Sequence, residues 1–470
     1  MKPTQENPTP KILDAVFKQY GPPFLVDGKK IALNNRAVAV ACSTLHTVKY
    51  NVGTKEYERF DGERGQWCVV SEVAVQHALD TLLVKLGEQY DVQQFVMGIS
   101  PSQLSSLCKM MRPHDTRVKT VSAAGLVHAS NGVVDLSANK PKLMPHDAKY
   151  PFHAGSGIKF DAKASCPKFK KHLLGTALAP TDIALLQMYC GSMLLGPNTC
   201  HGLMIIRGTA GGGKSTLVSI VEKILGETKV AHLRTSHLGG RFETSAFLGK
   251  RLLVGKDVPG DTLAASGARM LKSLVGNDLM QAEVKYNPDK KVLRGDFHVV
   301  IVSNNNLHIN LDGDKDAWSR RLLVVDFKNL KPAKPIPNYA EQLVAEEGSG
   351  ILNWLIEGAL DYRAEMNKFG HLRLTDDQLS RVATLLQDSD NVVEFVKQAV
   401  VPKANHDVSS DELLRSYYEK CELQKWTPVA SQTFRTRVPD LLGQMFKTTR
   451  RNDITREGRA VRGYKGVALA

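Results

Sequence analysis

From residue 202 to residue 327 short apolar runs of β type alternate with helical periodicity, the pattern of a parallel-stranded α/β core. The runs at 203–206, 252–254 and 297–302 are its predicted strands, and a helix is expected over Lys214–Leu225. Upstream the pattern is mixed. Residues 48–67 are strand-like and turn-rich, whereas 70–86 and 103–111 show helical spacing. Turn formers crowd 124–152, where Asn131-Gly132 and the stretch 139–141 punctuate short apolar runs, as in a small β-rich connector. A helical pair over 166–178 and 181–195 follows. Downstream, a Pro-containing link at 331–335 leads to helical periodicity over 339–366 and a polar bridge at 387–391. Two further helices, 410–421 and 431–446, then precede a hairpin-like end at 447–469, the order of a winged helix. The expected domains are an α/β region at 1–120, a connector and helical collar at 121–200, a nucleotide-binding core at 201–335, a helical segment at 336–386 and a winged-helix DNA-binding domain at 387–470.

Bulk properties narrow this picture. A chain of 470 residues exceeds one ordinary core and predicts about two to four packed units. With 42% hydrophobic and 23% charged residues, a largely disordered or collagen-like chain is excluded. The net charge of +14 and pI near 9.3 favour polyanionic partners, above all nucleic acid. Seven scattered cysteines without a C-x-x-C pair read as reduced thiols of a cytoplasmic protein, with no metal cluster expected. The first residues lack an apolar h-region and no run of 18 apolar residues occurs, so neither secretion nor membrane spanning is expected.

The chemistry concentrates in the predicted core. Residues 208–215 read G-x-x-x-x-G-K-S between a strand and a helix, the order a phosphate-binding loop requires. Its glycines, Gly208, Gly211 and Gly213 among them, let backbone N–H groups turn toward phosphates while the helix N-terminus adds partial positive charge. Lys214 would neutralise phosphate charge, Ser215 would hold Mg2+, and Thr216 continues the loop into the helix. Asp257, 43 residues after Lys214 and just beyond a strand, is the candidate to reach the Mg2+ shell and polarise water. Asn304, at the end of the 297–302 run, is the candidate to orient that water. Arg320 and Arg321 stand before another β run, where either could stabilise phosphoryl charge in an adjacent subunit.

Together GTAGGGKST, RLLVGKDVPG, VVIVSNNNLHI and AWSRRLLVVDF resemble the superfamily 3 helicases of viruses and plasmids, particularly the helicase region of phage and plasmid primases and poxvirus primase-helicases. The likeness covers roughly 120–470. It implies an AAA+-like P-loop NTPase fold, a hexamer around single-stranded DNA, ATP hydrolysis and 3′ to 5′ translocation. Lys256 stands where many relatives carry an acidic residue, and Leu307 where many carry proline. By the same resemblance Lys272 would reach a neighbour's nucleotide, and a hairpin centred on Asn287-Pro288-Asp289 would line the ring channel, with Lys285, Lys290 and Lys291 contacting DNA phosphates. Residues 431–470 carry nine Lys/Arg against three Asp/Glu, which puts Arg435, Arg437, Arg450 and Arg451 near DNA.

The leading expectation is therefore a replicative DNA helicase of a phage, plasmid or other mobile element, in the cytoplasm of a bacterial host, acting at replication forks. The alternative is an ATP-switched origin-binding or loading factor without sustained unwinding; a small-molecule kinase fits less well, given the basic hairpin. No D-x-D pair occurs in the first 160 residues, so primer synthesis is not expected and a separate primase or replication initiator is the expected partner.

Overall fold

The computed structural model describes residues 9–112, 121–240, 242–258, 265–283, 291–304, 307, 309, 311, 314–328, 336–424, 426 and 428–470. They divide into two compact units, Met1–Phe160 and Asp161–Ala470.

The first unit begins with α1 (Thr9–Tyr20), the hairpin of β1 (Phe24–Asp27) and β2 (Lys30–Leu33), and α2 (Asn35–Leu45). An antiparallel sheet of β3 (Val48–Asn51), β4 (Glu56–Asp61) and β5 (Gln66–Val70) follows, then α3 (Glu72–Gln89), α4 (Gln93–Met97) and α5 (Pro101–Met111). Helix starts are set by side-chain caps: Asn34 accepts from Ala37 N, Ser71 from Ala74 N, and Ser100 with Gln103 forms a capping box. The apolar faces of α2, α3 and α5 close around Val38, Leu79, Leu83 and Leu107. The turn-rich stretch makes a second antiparallel sheet of β6 (Leu126–Ala129), β7 (Gly132–Asp135) and β8 (Lys142–Met144).

The second unit opens with a π-helical turn, Phe169–Leu174, running into α6 (Gly175–Ala177) and α7 (Pro180–Leu195), which starts with proline at its first turn. The core then alternates β9 (Leu203–Arg207), α8 (Lys214–Leu225), β10 (Val230–His232), β11 (Leu252–Gly255) and α9 (Ala265–Val275). A hairpin of β12 (Leu279–Ala282) and β13 (Lys291–Arg294) precedes β14 (His298–Ser303), α10 (Lys315–Ser319) and β15 (Leu322–Asp326). Five strands form one parallel sheet in the order β10-β11-β14-β9-β15. All but the edge strand β10 are nearly continuous Leu, Ile and Val, buried on both faces as a helix-covered parallel sheet demands. The mixed α/β fold with a five-stranded parallel sheet is compatible with a nucleotide-binding core, as the alternating pattern predicts.

The 31-residue α11 (Tyr339–Phe369) packs along α7. Their approach needs glycine: a Cβ at Gly191 would lie 2.3 Å from Ala359 N, and one at Gly358 would lie 2.1 Å from Gln187 O. Tyr189 ties α7 to the sheet, its hydroxyl donating toward Val299 O (3.0 Å) and Gly202 O (3.1 Å) and accepting from Val299 N (3.0 Å). After α12 (Asp376–Asp388) and α13 (Asn391–Ala399) comes β16 (Val400–Ser409), then α14 (Ser410–Gln424) and α15 (Ser431–Phe446). The chain ends in β17 (Arg451–Arg456) and β18 (Arg459–Leu469), and these strands form an antiparallel sheet ordered β16-β18-β17. At the centre of that C-terminal cluster the rings of Tyr417 and Phe434 stack, and Phe395 packs edge-on against Tyr417. Among the described residues, no single helix is long and apolar enough to cross a membrane. The apolar stretch through Phe169–Ala177 and Pro180–Leu195 is bent by 119°.

Candidate functional site

Sheet order builds the site. Because β14 lies between β9 and β11 and all three run parallel, their carboxyl ends share one edge. The glycine-rich loop after β9, Asp257 after β11 and Asn304 after β14 therefore line one cavity of about 830 Å3, together with Gly211, Gly213, Lys214, Ser215 and Thr216. Such a crevice beyond the carboxyl ends of parallel strands is where α/β sheets bind ligands.

Gly213 sits at the N-cap of α8 with φ 92°, a left-handed backbone suited to glycine, and offers no capping side chain. The first N–H groups of α8 are thus left for an anion, in line with the helix dipole. Lys214 is 4% exposed and folds back over the loop: its Nζ donates to Gly208 O (2.6 Å), Thr209 O (2.8 Å) and Asn304 Oδ1 (2.9 Å). Burial lowers its pKa, opposed by the charge of Asp257. All three ammonium protons have acceptors, so a phosphate entering here competes with the loop's own carbonyls.

Asp257 has a left-handed backbone, φ 50°. The bend is fixed on its far side, where Val258 N donates to Val302 O (3.0 Å) and Ser303 Oγ donates to Val258 O (2.8 Å). Lys256 does not enter the cavity lining; its Nζ is held 2.7 Å from Glu222 Oε2 on α8. Asp257 thus stands without a second carboxylate at the adjacent position. The far wall of the cavity comes from residues that sequence reasoning missed: Lys168, His172, Thr176, Tyr339, Gln342 and Glu346. Thr176, Tyr339, Gln342 and Glu346 belong to no motif, and a signal for them exists only in their spatial neighbourhood.

Arg320, Arg321 and Lys272 are not part of that cavity. The two arginines precede β15 and line a second cavity of about 800 Å3 with His201, His371 and Arg373, and among the described residues no carboxylate contributes to its lining. Arg320 is exposed, its Nε donating to Asp316 O (3.3 Å). Arg321 Nη1 donates to Ala317 O (2.9 Å), while its Nε is buried with no partner among the described residues. Nearby, Lys272 Nζ lies 2.7 Å from Asp314 Oδ2, holding that carboxyl below its usual range, with Arg321 adding to the effect.

Of the DNA-contact candidates, Lys285 and Lys290 lie outside the described residues, and Lys291 is exposed at the start of β13. On α15, Arg435 reaches Asp411 (2.6 Å) and Arg437 pairs with Asp390, the N-cap of α13. The Arg437 pair joins two helices of the C-terminal cluster. Arg450 and Arg451 are exposed, with Arg451 Nε 3.1 Å from Asp453.

Residues 206–321 match a family of unknown function, DUF5906. That stretch runs from β9 to Arg321 and takes in the loop, Asp257 and Asn304. No curated protein matches the sequence. Among solved structures, the chain is similar to the apo structure of the NrS-1 C-terminal region, residues 305-718 of that protein, at 13% identity and TM-score 0.48, over 98% of this chain and 99% of that one. A second apo structure of that region, in its A form, aligns at 12% identity and TM-score 0.45, covering 89% of this chain and 96% of that one.

Proposed function

We propose that this chain is an ATP-hydrolysing replicative DNA helicase with a P-loop, AAA+-like core and a C-terminal winged-helix domain. One observation carries the reading: the strand bearing Asn304 is inserted between the strand bearing the glycine loop and the strand before Asp257, so an ammonium, an amide and a carboxylate meet at a capless helix start. That set suits polyphosphate binding and attack by water at the terminal phosphate. Ser215 and Asp257 supply hard oxygen donors in the same cavity and would hold Mg2+, which neutralises phosphate charge when bound. Asn304 would orient water once nucleotide draws Lys214 away from it.

The second cavity supports a shared site. Its arginines lie at the amino ends of β15 and β9, away from the glycine loop, so they would serve a nucleotide held by another copy. Single-stranded DNA is the proposed track, gripped by the β12–β13 hairpin and by the C-terminal basic face, where Arg450 and Arg451 are the more accessible candidates. The test is strand displacement: the full chain with ATP and Mg2+ should open a 3′-tailed duplex, and Lys214→Ala should not. ATP-dependent binding without displacement would favour a loading factor instead.

A further inference from the structure

A glycine-rich loop reads phosphates and is blind to the base, so nothing in it selects ATP. The cavity continues, however, to a wall the loop does not build, formed by His172 and Leu173 of the π-helical turn and by Ile336, Tyr339 and Gln342 at the start of α11. This wall is fixed in place. Glu347, a carboxylate 8% exposed, accepts from the backbone N–H groups of Lys168 (2.9 Å) and Phe169 (2.9 Å), locking α11 to the π-helical turn. The rings of Phe169 and Trp354 meet edge to face at 5.1 Å behind it. The wall also abuts the loop, since a Cβ on Gly213 would stand 2.9 Å from Leu173 Cδ1.

Leu173, Ile336 and the Tyr339 ring give this wall an apolar and aromatic stretch, with polar groups beside it, among them Gln342. Ile336 is 48% exposed, large for an isoleucine, and its exposed surface contributes to the cavity. The Gln342 Nε2 donates to Pro337 O (3.0 Å). A carbonyl only accepts, so the amide nitrogen must face it and Oε1 is left as the acceptor of that side chain. Such an acceptor suits the 6-amino group of adenine, whereas against the 6-oxo group of guanine two lone-pair atoms would oppose each other.

Resting on the phosphate reading above, we infer that Leu173, Ile336 and Tyr339 form the base subsite of this cavity and that Gln342 Oε1 selects adenine over guanine. Lys168 and Glu346, paired at 2.5 Å, bridge the two sides of the wall near that subsite.

The experiment measures binding of ATP, GTP and inorganic tripolyphosphate by the full chain and by Tyr339→Ala, Tyr339→Phe, Gln342→Leu and Lys214→Ala. The unaltered chain should prefer ATP to GTP by about fivefold or more, the scale of one net hydrogen bond. Tyr339→Ala should weaken ATP by about tenfold, the order of a lost base-aromatic stack, while tripolyphosphate binding stays unchanged and Tyr339→Phe behaves as the unaltered chain. Gln342→Leu should erase the preference over GTP. Equal ATP and GTP affinities in the unaltered chain, unchanged ATP binding in Tyr339→Ala, or loss of tripolyphosphate along with ATP in that variant would each overturn the base subsite. If instead Lys214→Ala binds tripolyphosphate as well as the unaltered chain does, the phosphate reading falls and takes the subsite with it.

Discussion

Lys214 shows how much of the site depends on single side chains. With its ammonium hydrogen-bonded to Gly208 O, Thr209 O and Asn304 Oδ1, the ligand-free loop already satisfies all three of its donors internally. Lys214→Ala removes the only cation lining the loop end of the cavity among the described residues, and steady-state ATP hydrolysis should fall by about a hundredfold or more, the scale of losing one preorganised donor to phosphoryl charge. A variant hydrolysing ATP at the original rate would contradict the site. Asp257 calls for a different substitution. Its left-handed backbone is tolerated by Asn and Asp but strained for Ala by about 1–2 kcal/mol, so Asp257→Asn removes charge alone whereas Asp257→Ala removes charge and bend together. We expect Asp257→Asn to keep its melting temperature and lose hydrolysis. The motif residues were legible in the sequence because loop chemistry dictates their types and spacing. Tyr339 and Gln342 were not, since they come from a helix more than a hundred residues beyond the loop and meet it only through packing.

Elements carry the stability of this arrangement. The α7–α11 contact is closed by Gly191 and Gly358, and Gly358→Ala would drive a methyl group into the Gln187 backbone. Overpacking of this kind costs about 1–3 kcal/mol, which thermal unfolding of the variant should register as a lower melting temperature. The start of β14 adds a pH dependence. His298 is fully buried between α7 and the sheet, its Nε2–H donating to Gly196 O (3.1 Å), and burial first, then nearby Arg251, depress its pKa from 6.5 to about 3. The unfolded chain therefore takes up a proton below pH 6.5 that the folded chain refuses until about pH 3. Stability contributed by the neutral ring is complete above that window and is lost on acidification through it, at about 1.4 kcal/mol per pH unit. Denaturant melts of His298→Gln should show a shallower loss of stability between pH 6 and pH 4 than the original chain. Four of the five parallel strands were readable as continuous apolar runs, the edge strand β10 (Val-Ala-His) being too short and too exposed to show one, and the two helices and final hairpin of the C-terminal cluster were readable by periodicity. The strand β16 was not, because its middle reads Pro-Lys-Ala-Asn-His-Asp and is exposed, giving neither alternation nor an apolar run.

At the scale of the whole chain, the glycine loop and the paired arginines occupy opposite ends of neighbouring strands, β9 and β15. Five residues of strand separate them by about 16 Å along the sheet. If two copies share a nucleotide, mixing Lys214→Ala with Arg320→Ala chains should recover part of the ATPase activity that each lacks alone, because some seams then join an intact loop to an intact arginine. No recovery at any mixing ratio would argue that hydrolysis is completed within one copy. Sequence could mark the arginines but not this separation, which is a property of strand direction.

That separation has a geometric corollary. A twofold dimer mates each patch with its own equivalent around one axis, and faces on opposite edges of a rigid sheet cannot both meet across it. Any pairing that unites loop and guanidinium must run head to tail, leaving one donor edge and one acceptor edge unfilled until the chain of copies curls into a closed circle or grows as a spiral.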